Sequence, residues 1–319
     1  MKYDVSALGE ILIDFTPCGK NEYGYPMYIQ NPGGGPVNLA AAVSGFGGKS
    51  AFLGKVGDDA QGRFLTDCLA KTGVDTSGIC TDPEFNTTLA FVTLQDDGGR
   101  DFTFYRNHEA DVRLSKEEIR YDIIENSAIF HFSSLSMTHE TAREATWAAV
   151  SAAKKAGCLI SFDPNYRSAL WYEEAALTQI HSVLGMVDIA KFSEEEAEMI
   201  CGTPDLEKCA AYFHQRGIRL CALTLGRDGA YISGENFAFH NPAYTKDIVS
   251  VDSTGAGDIF WGSFLCRLAE AGESPADTLT DEAFIRKAFS FASAAAGLST
   301  AKKGGVPSIP AYEEVLAVL

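Results

Sequence analysis

The chain has 319 residues, a formal net charge of −17, 46% apolar residues and 22% charged ones. That length buries a large core in one large or two modest domains, and the composition is that of an ordinary globular protein. The acidic balance argues against a nucleic-acid surface, and no apolar run is long enough to span a bilayer. Eight scattered cysteines without a Cys-x-x-Cys pair read as free thiols in a reducing compartment and make a structural zinc site improbable. Met1-Lys2-Tyr3-Asp4-Val5 reaches an acid and then a strand, unlike a secretory leader, so a cytoplasmic protein is expected.

Residues 5–8 predict a short buried strand ended by Gly9. Residues 10–15 alternate loosely and carry Asp14 among Ile11, Leu12, Ile13 and Phe15, an acid that an apolar strand ordinarily turns to solvent. In Asn31-Pro32-Gly33-Gly34-Gly35-Pro36-Val37-Asn38, three glycines and a proline mark a turn into a helix, with the Asn38 amide on its opening turn. Gly45-Phe46-Gly47-Gly48-Lys49-Ser50 ends like a phosphate-binding loop. Val43 stands where the first glycine is required, however, and a strand-like run follows where a helix should open. It reads as a helix end, a turn and the next strand. A helix is predicted over 63–71.

Residues 87–94 and 101–106 alternate on either side of Asp96-Asp97-Gly98-Gly99-Arg100, a hairpin signal. Phe102, Phe104 and Arg106 share one face by period two. A lone hairpin is marginal, so strands at 11–15 and 27–30 are expected to join it in a four-stranded sheet. From residue 129 the pattern alternates: strand 129–132, helix 140–156, strand 159–163, helix 173–187, strand 188–192, helices 194–201 and 205–216, strand 220–225. That implies a mostly parallel sheet flanked by helices, with ligands at the carboxyl ends of its strands. Polar groups stand at those ends: Asp163-Pro164-Asn165-Tyr166-Arg167, then Ser193 with Glu196, then Thr224, Gly226 and Gly229.

Asp252-Ser253-Thr254-Gly255-Ala256-Gly257-Asp258 runs straight into the apolar Ile259-Phe260-Trp261, a loop opening a helix. The first-turn amides of a helix lack internal partners and sit at the positive end of its dipole, and the glycines let an anion reach them. Asp258 at the mouth of such a site suits the uptake of a proton from an attacking hydroxyl, although an acid there is also an ordinary dipole partner. The local logic is phosphoryl transfer to an alcohol. A last helix is expected over 282–299, before Lys302-Lys303-Gly304-Gly305.

These motifs, in this order, resemble the ribokinase-like family of carbohydrate kinases. They are Gly-Glu-x-x-x-Asp at 9–14, Gly-Gly-x-x-x-Asn at 33–38, Phe162-Asp163-Pro164-Asn165-Tyr166-Arg167, and Asp-x-Thr-Gly-Ala-Gly-Asp at 252–258. The chain is most similar to fructokinases. The resemblance implies one α/β kinase domain over 1–319, with a small β-sheet lid formed by about 10–32 and 86–108 that often pairs two copies into a dimer. It also implies ATP and Mg2+. Asp258 would be the base, with Gly255, Ala256 and Gly257 stabilising the transferred group. Asp14, Gly33, Gly34, Asn38, Phe104, Arg106, Asn165 and Arg167 would hold the sugar. Ser193, standing for the family's usual Asn, would join Thr224, Gly226, Gly229 and Gly257 at the nucleotide, and Glu196 would hold Mg2+ through water. Carbonyls around Asp252 and Thr254 are implied for a monovalent cation such as K+, of which the sequence itself carries no sign. The expected reaction is D-fructose to fructose 6-phosphate. The alternative is 2-keto-3-deoxygluconate, with ribose or a non-catalytic sugar- or nucleotide-binding regulator behind it. A nicotinamide-type oxidoreductase fails because Gly9-Glu10 stands where a G-x-G-x-x-G should follow the first strand.

Overall fold

Parallel strands covered on both faces need apolar side chains at odd and even positions alike. In chain order the strands are β1 (Tyr3–Leu8), β2 (Leu12–Lys20), β3 (Pro26–Gly33), β4 (Ser50–Gly57), β5 (Asp75–Asp82), β6 (Leu89–Leu94), β7 (Arg100–Tyr105), β8 (Ser127–Ser133), β9 (Leu159–Asp163), β10 (Ile189–Ser193), β11 (Leu220–Thr224), β12 (Ala230–Gly234) and β13 (Ala238–Asn241). The computed structural model describes residues 2–94, 100–271 and 274–319. Nine strands form the main sheet in the order β13-β12-β11-β10-β9-β8-β1-β4-β5. It is parallel from β11 to β5, and β12 and β13 close one edge antiparallel. The central strands divide their apolar residues between two cores. Ile129, Leu159, Ile189 and Leu220 face the helix Ala256–Glu270, with its Trp261 and Phe264, whereas Phe130, Ile160, Phe162, Ala190 and Phe192 face the opposite helical layer.

The chain runs from β1 outward to β4 and β5, then returns as β8 on the other side of β1. Strand order therefore reverses between β1 and β8, and a crevice opens there at the carboxyl ends. Three helices converge on that crevice: Gly35–Gly45, Ala256–Glu270 and Glu282–Ser299. Under the crevice, Trp261 Nε1 donates to Ser161 Oγ at 2.8 Å, and the same hydroxyl meets His131 Nδ1 at 2.9 Å. Burial pushes His131 down to about 4, so the imidazole is neutral and the polar thread is satisfied without a charge. Among the described residues no helix is long and apolar enough to cross a membrane.

The second sheet runs β3-β2-β6-β7, the four-stranded arrangement expected from the sequence. The turn residues 96–99 expected to close its hairpin lie outside the described residues. Asp14 pairs with Asn31 and with Ala90, and Ala90 pairs with Phe104, which puts Asp14 and Phe104 on one face. Phe102 and Phe104 stack on that face with centroids 5.8 Å apart. Phe15, Phe91, Tyr28 and Tyr105 form a chain of ring contacts on the other. Three strands were not foreseen. β5 is a polar edge strand, Asp-Thr-Ser-Gly-Ile-Cys-Thr-Asp, β13 is a short strand at the opposite edge, and β12 lies just inside β13, paired on both sides. Edge strands bury little, so β5 and β13 lack the apolar run that marks the central ones, and β12, Ala-Tyr-Ile-Ser-Gly, is too short and mixed to show one.

Arg106 corrects the sequence reading. Beyond the end of β7 its guanidinium turns into the protein and donates from Nε to Asp111 at 2.7 Å, from Nη1 to Thr138 Oγ1 at 3.0 Å and from Nη2 to the Leu135 carbonyl at 2.9 Å. The Thr88 hydroxyl donates to the same Asp111, and both ionic side chains are 1% exposed. Arg106 thus anchors the small sheet to the large one instead of reaching for a ligand. Removing one partner of a buried pair strands the other charge, so Asp111→Ala is expected to destabilise the fold by about 3–5 kcal/mol. Urea unfolding of the variant and the wild type measures this, and a loss under about 1 kcal/mol would mean the pair is dispensable.

Candidate active site

The crevice is built from four segments. Gly255 caps the helix Ala256–Glu270 at φ 76°, a left-handed conformation, and a Cβ there would come within 2.8 Å of Gly305 Cα. Only glycine fits both the turn and the contact. Asp252 holds the loop from below, with Oδ1 accepting from the Thr254 amide at 2.7 Å and Oδ2 from the Gly304 amide at 3.0 Å. The Ala256 amide already donates to the Ser253 carbonyl at 3.1 Å. That corrects the expectation for Ala256, and the expected anion contact rests on the Gly255 and Gly257 amides.

The glycine turn before the helix Gly35–Gly45 forms the facing wall. Glu10 pins it, accepting from the Gly35 amide at 2.9 Å and from Ser133 Oγ at 3.0 Å. A Cβ on Gly33 would fall 2.2 Å from Asp14 Oδ2, and one on Gly35 would fall 2.1 Å from Asn165 Nδ2, so both polar side chains lie directly on the bare backbone. Asn38 Nδ2 donates to Asp258 Oδ2 at 2.9 Å, whereas its Oδ1 is buried with no partner among the described residues. An orphaned acceptor costs free energy unless a donor arrives, and a substrate hydroxyl supplies one. Asn165 adopts a positive φ of 48°, stabilised by its own amide donating to Asp163 Oδ1 at 3.1 Å. Arg167 is exposed at the rim, and its charge draws down the pKa of both Asp14 and Asp258 against the effect of burial.

Asp14, Gly33, Gly34, Asn38, Asn165 and Asp258 thus come together. Phe104 stands over them on the small sheet, and Arg106 does not join them. Burial, reinforced by Asp163, pushes Asp258 up to about 7. Burial likewise pushes Asp14 up to about 7, with Asp252 and Glu10 adding to it against Arg167. An unperturbed aspartate titrates at about 3.9 and is ionised at neutral pH. The neighbours of Asp258, unseen in the sequence, retune it.

On the other side of the Gly257 turn lies a cavity of about 480 Å³. Thr224, Gly226 and Gly229 form one wall, Ala296 and Gly297 of the helix Glu282–Ser299 another, and Ala256 and Gly257 the floor. Ser193 is not among its lining residues. Its hydroxyl accepts from the Glu196 amide at 3.2 Å while the Glu196 carboxylate accepts from the Ser193 amide at 2.8 Å, a reciprocal helix cap. Glu196 also accepts from the Tyr166 amide at 2.7 Å, and burial followed by Asp163 holds its pKa above the ordinary range. Among the described residues no three acids, histidines or cysteines converge as a metal cage. The donor set therefore fits a hydrated divalent ion carried in on phosphates, with Glu196 and Asp163 as acids able to hold its water. Lys191 went unassigned in the sequence reading. It pairs with Asp163 at 2.9 Å, and its ammonium would stand 3.3 Å from a Cβ on Gly257. A lysine inside the apolar strand Ile189-Ala190-Lys191-Phe192 is the signal that could have flagged it.

The model of the pfkB family of carbohydrate kinases matches residues 2–311. The chain is 41% identical to a fructokinase of Zea mays over 99% of this chain and 97% of that one. Among solved structures, a Xylella fastidiosa fructokinase with bound ATP superposes with a TM-score of 0.90 at 30% identity, covering 100% and 98% of the two chains. A Vibrio cholerae fructokinase holding fructose, ADP and calcium gives 0.88 at 32% identity, covering 98% and 97%.

The raised Asp258 makes stability depend on pH with a definite sign. From an ordinary 3.8 to about 7, the folded protein keeps a proton that the unfolded chain releases, so this contribution is full below about pH 4 and is lost as pH rises through about 7. Asp258→Asn abolishes that loss. The variant is expected to melt higher than wild type at pH 8 and level with it at pH 4, as read by thermal unfolding across pH. A constant offset between the two curves would contradict the assignment.

Proposed function

This chain belongs to the pfkB family of carbohydrate kinases, and we propose that it transfers the γ-phosphoryl group of ATP to the primary hydroxyl of D-fructose, giving fructose 6-phosphate. The observation that carries the reading is the meeting of Asp14, Asn38 and Asp258 at a bare glycine turn, one helix turn from a nucleotide-sized cavity, in a chain about 40% identical over its whole length to a fructokinase of Oryza sativa. Asp14 and the orphaned Asn38 carbonyl accept from sugar hydroxyls. Asp258 takes the proton of the attacking hydroxyl as its oxygen bonds to phosphorus and the bond to ADP breaks. A base tuned near 7 matches a neutral working pH better than an ordinary carboxylate does. The Gly255 and Gly257 amides meet the charge that builds on the passing phosphoryl group, a contribution of about 3–4 kcal/mol per donor in comparable holes. Thr224, Gly226 and Gly229 line the nucleotide cavity, and Glu196 would hold Mg2+ through water, an ion that would supply neutralisation of phosphate charge. Carbonyls around Asp252 and Thr254 would seat K+, and a double-mutant fructokinase of Vibrio cholerae is described with fructose, ADP and a potassium ion bound.

The acid sugar is disfavoured on electrostatic grounds. Two carboxylates, Asp14 and Asp258, flank the sugar position, and Arg106 is committed to Asp111. A 2-keto-3-deoxygluconate carboxylate would meet repulsion there, with Arg167 at the rim to offset it. Fructose is expected to exceed 2-keto-3-deoxygluconate in kcat/KM by at least a hundredfold at fixed ATP, and Asp258→Asn to lower kcat for fructose by about a hundredfold or more. Preference for the acid would overturn the substrate and leave the kinase chemistry standing.

The small sheet acts as a lid within a single domain: Phe104 shares its inner face with Asp14, and sugar binding closes it. The aromatic outer face, with Tyr28 42% and Tyr105 57% exposed, seats a second copy of the chain. Hydrogen exchange tests both: fructose should protect 89–94 and 100–105, and dilution should deprotect 26–33. Exchange indifferent to sugar and to concentration would refute lid closure and pairing together.

A further inference from the structure

We propose that Lys191 is a catalytic residue, whose ammonium group donates a hydrogen bond to the phosphoryl group in passage beside the Gly255 and Gly257 amides and rests on Asp163 between turnovers. The proposal rests on the placement of phosphoryl transfer at the start of the helix Ala256–Glu270.

Lys191 lies inside β10, and its side chain is 9% exposed. Ile189 faces the core that contains Trp261, whereas Ala190 and Phe192 face the opposite core, so alternation sends Lys191 toward the helix Ala256–Glu270. There the ammonium stands 3.3 Å from where a Cβ on Gly257 would be, against the first turn of that helix. This is an adverse place for a cation, because the helix start is the positive end of the dipole and its amides point outward. Burying an ion pair gives little net stability, and a well-packed apolar pair is commonly as good or better. The arrangement makes sense when an anion enters between the ammonium and the amides.

The groups facing Lys191 are Asp163 at the end of β9, Glu196 on the first turn of the helix Glu194–Cys201 and Asp258 on the catalytic helix. They outweigh burial and hold the lysine above its ordinary pKa, so the ammonium keeps its protons throughout. Its part is charge alone: no bond to nitrogen forms or breaks, and the substrate proton goes to Asp258. The pair is also asymmetric in freedom. Asp163 is fixed by the Asn165 amide at 3.1 Å, whereas Lys191 is a point charge on a flexible stem and can pivot from one anion to the next.

Removing Lys191 alone would strand Asp163, so the test compares Asp163→Asn with the double variant Asp163→Asn/Lys191→Met, neither of which leaves an unpaired buried carboxylate at 163. With fructose and ATP, the double variant is expected to be about a hundredfold slower in kcat than Asp163→Asn, with KM for both substrates within about threefold. It should also fail to form the tight complex of ADP, fructose and aluminium fluoride that the wild type forms, a readout that packing alone does not move. A kcat within tenfold of Asp163→Asn, or an undiminished aluminium fluoride complex, overturns the assignment. Wild-type turnover separates the two levels: an inactive wild type overturns the functional reading as well, whereas an active wild type with an unimpaired double variant overturns the role of Lys191 alone.

Discussion

One hydrogen bond, from Asn38 Nδ2 to Asp258 Oδ2 at 2.9 Å, joins residues 220 positions apart and sets the distance between the two walls of the cleft. Each partner is placed by backbone that no larger residue could form. Asn38 follows a glycine turn pinned by Glu10, and Asp258 follows a left-handed glycine cap pressed against Gly305. The bond holds because the two helices that carry it touch closely. A Cβ on Gly262 would fall 2.7 Å from the Leu39 carbonyl, and Trp261, Phe264 and Phe289 stack behind it. Close packing here is what fixes the geometry of the reacting groups.

The second constraint is electrostatic. Asp163, Glu196 and Asp258 crowd the carboxyl ends of β9, β10 and the neighbouring helix, with Lys191 among them and Arg167 at the rim. Burial first, and then the like charge of Asp163, raise Asp258 to about 7, while the surrounding acids keep Lys191 charged. The buried cluster is a poor device for stability, and in the proposed reaction the charges of Mg2+ and phosphate would complete it.

Much of the fold was legible where one physical signal dominated. The helix at 140–156 and that at 282–299 came out at their observed bounds because their apolar spacing is long and regular, and strand 159–163 because it is an apolar run closed by an acid. The glycine turns themselves were legible because glycine runs placed before an apolar periodic stretch mark a turn into a helix. What could not be read depended on partners distant in sequence. Arg106 looked like a cleft residue until Asp111, Thr138 and Leu135 enclosed it. Ser193 looked like a phosphate contact until Glu196 turned back to cap with it. Neither the pKa of Asp258 nor the burial of Lys191 is a local property, and β5, β12 and β13 lack the apolar pattern that announces a central strand.

The tie between the catalytic loop and the last part of the chain bears on how the enzyme is made. Asp252 is bound to the Gly304 amide, and Gly255 closes against Gly305, so the helix start acquires these contacts only once residues 304 and 305 are in place. A ribosome delivers the chain from its amino end and holds the most recent stretch in its tunnel. Nascent molecules can therefore complete the sheet strands, and even bury much of the core, while the cleft is still unformed. The cleft is thus among the last parts of the molecule to take shape, after the sheet that carries it.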